Sequence, residues 1–286
     1  MNLDQLLRDY YAPLTGVSDR TIALYEYSIK SFGEFLGRPA TTDDLTELSV
    51  ARWLAHRVRT KAPATASKDR AQIRACWEWA ARRGMVSTWP TMPRIVVPER
   101  VPEAWLTDEL QRLLDEIAQE KTTVFGFPMA AVLRAVVLVC YHTGERIGAV
   151  MSLKCSDVRG ATVIFRAEGR KGRARDILRD VGPDCVAALE AIRRQPDDLA
   201  IPWDRSHSYL WTRLTIILRR AGLPCGRNSK FHRIRKTSAS YYEAAVGPGS
   251  AQRHLAHSSP AVTRRYLDPR IVKPGPSAPD VLPHVG

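Results

Sequence analysis

The apolar positions in the first third of the chain recur at the spacing of a helix. The first such face is formed by five residues that precede Gly37: Ile22, Tyr25, Ile29, Phe32 and Leu36. A second pattern covers residues 50–58, and a third begins near Thr65 and ends at Gly84, where glycine is typical of the position after a helix. Residues 1–94 are therefore predicted to form an all-helical domain.

Prolines interrupt this helical pattern after the third helix. Trp89-Pro90-Thr91-Met92-Pro93 is followed by Pro98 and Pro102. Because proline fixes φ and lacks a backbone N–H, we expect residues 95–106 to be an extended linker.

The second predicted domain, residues 107–270, is mostly helical and contains one short β-hairpin. Thr107 is predicted to begin its first helix, since acidic Asp108 and Glu109 follow in the first turn. Two strands are predicted at residues 161–166 and 176–180, with Gly169-Arg170-Lys171-Gly172 at the tip between them. Residues 271–286 are predicted to be a proline-rich tail. The expected fold class is mainly α, with two domains and a small antiparallel β-sheet in the second.

The charge balance indicates a polyanionic partner. The chain has 43 Lys and Arg against 30 Asp and Glu, a formal net charge of +13, and this excess attracts nucleic acid. A basic face on the third helix and one hairpin arginine are candidate contacts to double-stranded DNA: Lys68, Arg70, Arg74, Arg82, Arg83 and Arg173. A solvated helix face is the alternative, but the almost entirely positive run favours a surface that faces DNA.

The cysteines and the apolar stretches bear on the compartment. The five cysteines are scattered and form no Cys-x-x-Cys pair, which predicts buried, reduced thiols. Residues 1–5 lack the features of a secretory signal, and the longest apolar stretch, residues 129–141, contains Arg134 and is too short to span a bilayer. We expect a cytoplasmic protein with no membrane partner.

Arginine, histidine and tyrosine are the candidate catalytic residue types of the second domain. Arg146 follows Thr143-Gly144-Glu145, and His232 and Arg235 lie three apart, so both project from one face of a helix. His257 and Tyr266 follow. Guanidinium groups donate paired hydrogen bonds to phosphate oxygens, and a phenol attacks phosphorus when a base takes its proton. The set suits phosphodiester cleavage, and the carboxylates show no metal-binding arrangement, so we expect no metal and no cofactor.

Together these motifs resemble the tyrosine recombinase (phage integrase) family over nearly the whole chain. The Thr-Gly-x-Arg motif of the family is matched at Arg146, and its His-x-x-Arg motif is matched at His232 and Arg235. The Leu-Gly-His-Ser motif is matched by Leu255-Ala256-His257-Ser258, and the nucleophile of the family falls on Tyr266. The hairpin lysine of the family falls on Lys171 in Arg170-Lys171-Gly172-Arg173.

The resemblance implies roles for these residues. Arg146 and Arg235 would hold the phosphate, His232 would take the proton of Tyr266, and Lys171 would protonate the leaving 5′ oxygen. His257 would bond a non-bridging oxygen of the phosphate. The product would be a 3′-phosphotyrosyl bond, which conserves the phosphodiester energy and makes ATP unnecessary.

The resemblance also implies an assembly. A core-binding domain and a catalytic domain would close on duplex DNA as a C-shaped clamp. The active form would be a homotetramer on two paired sites, which exchanges strands through a Holliday junction, and an accessory directionality protein can join it.

Two local expectations concern the backbone near His257. Ala256 stands where the family has glycine, and a positive φ there would cost about 1 kcal/mol. Ser258, ahead of Ser259-Pro260, is predicted to cap the short helix that leads to Tyr266.

Two alternative functions remain open. A type IB topoisomerase uses a similar residue set to relax supercoils as a monomer, although the compact helical first domain and the motif style favour a recombinase. A non-catalytic DNA-binding regulator of the same fold would be expected to have lost at least one catalytic position, and each motif position is filled in this sequence.

Overall fold

The computed structural model describes residues 1–169, 175–273, 275 and 281–283. The chain forms two compact units, Met1–Arg100 and Val101–Gly286. Both are mainly helical, and the second also contains small antiparallel sheets, which confirms the predicted fold class. Among the described residues, none of the helices combines the length and the apolar character that a membrane span requires.

The regular elements of the first unit are helices. A continuous N-terminal helix runs through Leu3–Gln5 (α1), a π-helical stretch at Leu6–Tyr11 and Ala12–Thr15 (α2). Three longer helices follow: Asp19–Leu36 (α3), Glu47–Thr60 (α4) and Pro63–Ala81 (α5).

Aromatic side chains fill the core of the first unit. Phe32 of α3 and Trp53 of α4 are fully buried, with ring centroids 5.1 Å apart. The four residues of α5 that the helical spacing places inward are all buried: Ile73, Cys76, Trp77 and Ala80. The apolar periodicity therefore identified the packed faces of α3 and α5 correctly.

The helices of the second unit surround a buried central helix. In chain order they are Thr107–Ala118 (α6), Met129–Thr143 (α7), Ile147–Val150 (α8), Pro183–Glu190 (α9), His207–Arg220 (α10), Phe231–Val246 (α11), Ser250–His254 (α12) and Pro260–Arg264 (α13). The central helix is α7, which packs against α6, α9 and α11. Its apolar residues are buried on most sides, so its C-terminal end is held firmly in the core.

The strands form two small sheets in the second unit. Thr123–Val124 (β1) and Phe127–Pro128 (β2) form a short hairpin before α7. Val158–Arg159 (β3), Thr162–Phe165 (β4) and Ile177–Asp180 (β5) form an antiparallel sheet in the order β3-β4-β5. The strands predicted at 161–166 and 176–180 are confirmed, whereas β1, β2 and β3 were not predicted. Lys171 and Arg173 lie outside the described residues.

The segment between α5 and α6 differs along its length. Residues 82–106, all described, contain no helix or strand. Ala104 and Trp105 are nevertheless completely buried in the second unit. The Ala104 N–H donates to Asp268 (2.7 Å), and the Trp105 N–H donates to Thr237 (2.7 Å). The last residues of the expected linker are thus fixed parts of the second unit.

Candidate active site

The first wall of the site is the turn that follows α7. Gly144 ends the helix with a φ of 62°, and its N–H donates to the Cys140 carbonyl (3.0 Å). A Cβ atom at Gly144 would lie 2.8 Å from the Leu255 side chain and 2.9 Å from His254 Nε2. Glycine is therefore required both for the left-handed backbone and for the close approach of α12. Arg146, at the N-terminus of α8, is half-buried beside this contact.

Arg235 of α11 joins three segments of the site. Its side chain is 1% exposed, and it donates to the carbonyls of Gly144 and Leu255, the latter at 3.1 Å. Its Nη2 atom lies 3.0 Å from His257 Nε2, while its Nε atom is buried without a hydrogen-bond partner in the described structure. The guanidinium is thus held in place mainly by neutral acceptors.

His257 has a defined tautomer in this arrangement. Arginine only donates, so the His257 Nε2 atom that faces Arg235 must accept. The proton then sits on Nδ1, which lies 3.1 Å from the hydroxyl of buried Thr263. The turn that presents the imidazole contains Ala256 at a φ of 51°, so the condition under which alanine is costly at this position is met.

Tyr266 lies between two imidazoles, just beyond α13. Its ring centroid is 5.0 Å from that of His232 and 4.8 Å from that of His257. The Arg235 guanidinium carbon is 5.6 Å from the Tyr266 ring centroid. Ser240 of α11 donates to the Tyr266 carbonyl (3.1 Å), which fixes the backbone of the tyrosine against the helix that carries His232 and Arg235.

The short helix before Tyr266 corrects one expectation. The residue at the N-terminus of α13 is Ser259 rather than Ser258, and its side chain makes no capping hydrogen bond. Pro260 at the first helical position has no backbone N–H, so the N-terminus of this helix needs one hydrogen-bond acceptor fewer than a helix that begins with another residue.

The electrostatics of the site keep both imidazoles neutral near pH 7. Burial, together with Arg235 and Arg146, lowers the pKa of His257 to about 4. Burial and the neighbouring Lys236, Arg235 and Arg146 lower the pKa of His232 to about 4. Because the His232 side chain is still open to solvent, we attribute its shift mainly to the three cations. Burial and Arg146 also lower the pKa of Arg235, to about 10. The site is electropositive, and a bound anion would stabilise it.

The structure adds residues that the sequence did not single out. Thr263 orients His257, and Ser240 anchors Tyr266. Arg179 of β5 donates to the His254 carbonyl, so the hairpin strand is tied to the turn that precedes His257. His254 is buried and hydrogen-bonded to Ser238 (2.8 Å). Thr263 and Ser240 have small polar side chains that are common on helices, so no local pattern marks them.

The candidate DNA-contact residues of the first unit divide into two groups. Lys68, Arg74, Arg82 and Arg83 are exposed on α5 and just beyond its end. Arg70 is half-buried and donates to the carbonyls of Pro93 (2.7 Å) and Met92 (3.2 Å). Its guanidinium therefore holds the segment after α5 against the helix, and a phosphate would have to compete with these two acceptors.

No cluster of three or more His, Cys, Asp or Glu side chains suited to a metal ion occurs in residues 1–169, 175–273, 275 and 281–283.

Comparison with known protein families gives two matches. Residues 105–271 match the phage integrase family, and residues 5–84 match the N-terminal SAM-like domain of phage integrases. The first match covers every described candidate residue of the site, from Arg146 to Tyr266.

Individual relatives and solved structures agree with these matches. The chain is 27% identical over 262 residues to tyrosine recombinase XerA of Thermococcus kodakarensis, which covers 90% of this chain and 87% of XerA. It is 27% identical over 294 residues to tyrosine recombinase XerD of Mycobacterium tuberculosis, with 91% of each chain covered. A lambda integrase dimer bound to a COC′ core site has a similar fold, with a TM-score of 0.70 at 20% identity over 94% of this chain and 96% of that chain.

Proposed function

The chain belongs to the phage integrase family and is a tyrosine-type site-specific recombinase, and we propose that Tyr266 is its nucleophile. In this proposal the enzyme cuts and rejoins DNA through a 3′-phosphotyrosyl intermediate. The observation that carries it is the position of the Tyr266 ring between His232 and His257, beside Arg235. A phenol, an uncharged base and a buried guanidinium are thus brought within reach of one phosphate.

The chemistry follows from the protonation states of these groups. The Tyr266 oxygen forms a bond to phosphorus, and the bond from phosphorus to the 5′ oxygen breaks. Neutral His232 accepts the phenol proton, because an imidazole of lowered pKa has a free lone pair at pH 7. Lys171, assigned by resemblance alone, gives a proton to the departing 5′ oxygen. Religation reverses both transfers.

The arginines supply the electrostatic part of catalysis. Negative charge grows on the equatorial oxygens of the phosphate during attack, and Arg146 and Arg235 donate to those oxygens. A bound phosphate would take over the Arg235 Nη2 hydrogen bond that His257 now accepts. With Arg235 donating to the phosphate, His257 would carry its proton on Nε2 and donate to a non-bridging oxygen, while Nδ1 accepts from the Thr263 hydroxyl.

The two units would divide the work on DNA. We assign residues 1–94 to the core-binding domain and residues 107–270 to the catalytic domain, and both would contact duplex DNA. Exposed Lys68, Arg74, Arg82 and Arg83 would contact phosphates, so that affinity falls steeply with salt. The proposed assembly is a homotetramer on paired sites, assisted by a directionality protein. Its support is that lambda integrase is known as a tetramer bound to a Holliday junction. We place this assembly at the nucleoid in the cytoplasm of a prokaryotic cell, where the chain is encoded by the cell or by a phage.

Trapping of the covalent adduct tests this function. Purified protein without divalent metal is incubated with nicked suicide duplexes taken from the ends of its host element, and adducts are resolved on a denaturing gel. We expect an adduct with the native protein and none with Tyr266→Phe, whose DNA affinity should stay within about twofold, since the loss of one hydroxyl removes the nucleophile but no base contact.

The two alternative functions give different results in this assay. Relaxation of supercoiled plasmid regardless of sequence would indicate a topoisomerase. A specific footprint without adduct would indicate a DNA-binding regulator. Neither is favoured, because the relatives named above are site-specific recombinases. An adduct that survives in Tyr266→Phe would remove Tyr266 from its assigned role.

A further inference from the structure

The segment that carries Tyr266 is tied to a distant part of the second unit through Asp268. The Asp268 side chain is completely buried, two residues after Tyr266. Its carboxylate accepts from the Ala104 N–H (2.7 Å), and it forms an ion pair with Arg270 (2.7 Å). The contact between Asp268 and Ala104 spans 164 residues of sequence. It therefore joins residues 266–268, here called the nucleophile segment, to residues 103–105, here called the lead segment. Only Leu106 separates the lead segment from the start of α6.

The lead segment is itself fixed to α11. The Trp105 N–H donates to Thr237, and Arg233 donates to the Ala104 carbonyl (3.2 Å) while lying 4.0 Å from the centroid of the Trp105 ring. Arg270 donates to the same Ala104 carbonyl (2.9 Å). Both polar groups of the Ala104 backbone are thus used to join the nucleophile segment to the helix of His232 and Arg235.

The hydrogen bonds of Asp268 converge on the backbone of the nucleophile. The Asp268 N–H donates to Ser240 (2.9 Å), and the same hydroxyl donates to the Tyr266 carbonyl (3.1 Å). Burial alone would raise the pKa of Asp268, but hydrogen bonds from Arg270 and from the Ala104 backbone lower it, so the carboxylate is charged at pH 7. A buried charge that is fully hydrogen-bonded costs much to displace and holds its segment in one position.

We infer that Asp268 is a positioning residue for the cleavage reaction: by fastening the nucleophile segment to the lead segment, it holds the Tyr266 ring between the two imidazoles. The inference rests on the proposed function of Tyr266. It assigns no contact between Asp268 and the DNA, so its loss should slow chemistry and leave binding unchanged.

Asp268→Asn is the direct test, because it replaces an acceptor oxygen with an NH2 group that opposes the donors of Arg270 or Ala104. The matched control is Asp44→Asn in the first unit. Asp44 is also buried, and it accepts two hydrogen bonds from Arg38 (2.8 and 2.5 Å) and one from the Thr41 N–H (2.8 Å). The two substitutions therefore remove the same chemistry from two different units.

The first readout is the single-turnover rate of adduct formation at saturating protein, measured beside the affinity for the same duplex. We expect Asp268→Asn to slow adduct formation at least about tenfold with affinity within about twofold, as for loss of orientation. Asp44→Asn should leave both values within about twofold per folded molecule. Equal rates for Asp268→Asn and the native protein, or equal slowing by both substitutions, would overturn the inference.

The second readout does not depend on catalysis. Amide hydrogen exchange should rise at residues 263–268 in Asp268→Asn and stay unchanged there in Asp44→Asn. If the native protein forms no adduct, the proposed function fails, and hydrogen exchange alone tests whether Asp268 holds the nucleophile segment in place. A rise at residues 263–268 in Asp268→Asn only would support that role, and unchanged exchange there would refute it. Should Asp268→Asn not fold, Arg270→Gln takes its place, because it alters the exposed partner of Asp268. We expect Arg270→Gln to slow adduct formation about threefold at unchanged DNA affinity. A rate equal to that of the native protein would refute the positioning role of Asp268.

Discussion

Two buried arginines, one in each unit, show how the same side chain is used for stability or for function. Arg57 of α4 is 5% exposed and lies 2.6 Å from Asp69 of α5, so its charge is neutralised inside the protein. Burial lowers the pKa of Arg57, but its hydrogen bonds to Asp69 and Tyr27 outweigh that effect and raise it. The pair joins two helices of the core.

Arg235 is buried more deeply, at 1% exposure, yet its hydrogen bonds go to two carbonyls and one imidazole. Burial and the nearby Arg146 lower its pKa to about 10, and Glu145 offsets only part of that shift. The positive charge is therefore kept in an unfavourable environment that a phosphate would relieve. Strong perturbation without full neutralisation is what distinguishes an anion-binding site from a structural ion pair.

The same substitution at both positions gives the largest expected effects. Arg235→Met should slow adduct formation by about 10²–10³, because one donor to the developing charge is lost. Arg57→Met should cost about 3–5 kcal/mol of stability, because Asp69 is left as an uncompensated buried charge. Urea unfolding and single-turnover cleavage of both variants measure these effects.

The loss of cleavage in Arg235→Met and the loss of stability in Arg57→Met should be separable. Arg57→Met should cleave within about twofold of the native rate per folded molecule, and Arg235→Met should lose less stability than Arg57→Met. If Arg235→Met were the more destabilised variant and retained its cleavage rate, Arg235 would be the structural arginine and the assignment would be reversed.

The stability of the protein should fall in acid, and we expect His254, which lies near Arg235, to contribute to this fall. Burial, together with Arg179 and Arg235, lowers the pKa of His254 to about 4, whereas the unfolded value is about 6.5. A histidine of depressed folded pKa stabilises the protein fully above its unfolded pKa. That stability is lost as pH falls from about 6.5 towards 4, in total on the order of 3 kcal/mol for this group.

Urea unfolding of the native protein and of His254→Gln at several values between pH 7 and pH 4.5 would measure this contribution. The variant will have a lower free energy of unfolding at pH 7, because it loses the stacking of the His254 ring on Tyr242, with ring centroids 4.4 Å apart. Its stability should nevertheless fall less steeply with acid than that of the native protein. Parallel curves would show that His254 does not titrate differently in the folded state.

The sequence predicted the elements whose causes are local. Apolar periodicity identified α3 and α5, and the three-residue spacing placed His232 and Arg235 on one helix, α11. The order of the motifs predicted that Tyr266, His232 and His257 share one site, and the structure brings their rings together. These features need only the helix repeat and the identity of adjacent residues.

The features that escaped prediction depend on pairing between distant segments. Nothing near Asp268 indicates that Ala104 is its partner, and the hydrogen bond of Arg179 to the His254 carbonyl spans two elements. The lead segment was assigned to the linker because prolines surround it. Its backbone groups nevertheless form hydrogen bonds with α11 and with the nucleophile segment. Tertiary hydrogen bonds of this kind are set by the packed fold, which a local pattern does not specify.

The smallest predicted effect is at Ala256, in the turn between α12 and His257. Its φ of 51° is unfavourable for a residue with a Cβ atom, and glycine would remove that cost while adding freedom to the unfolded chain. We expect Ala256→Gly to raise stability by about 0.5–1 kcal/mol, measurable as a small rise in Tm. Cleavage should stay within about twofold, because Thr263 and Arg235 hold the His257 ring from both sides independently of residue 256. A large gain in cleavage rate would instead mean that the strained turn displaces His257, and Arg235 with it, from the position that the reaction needs.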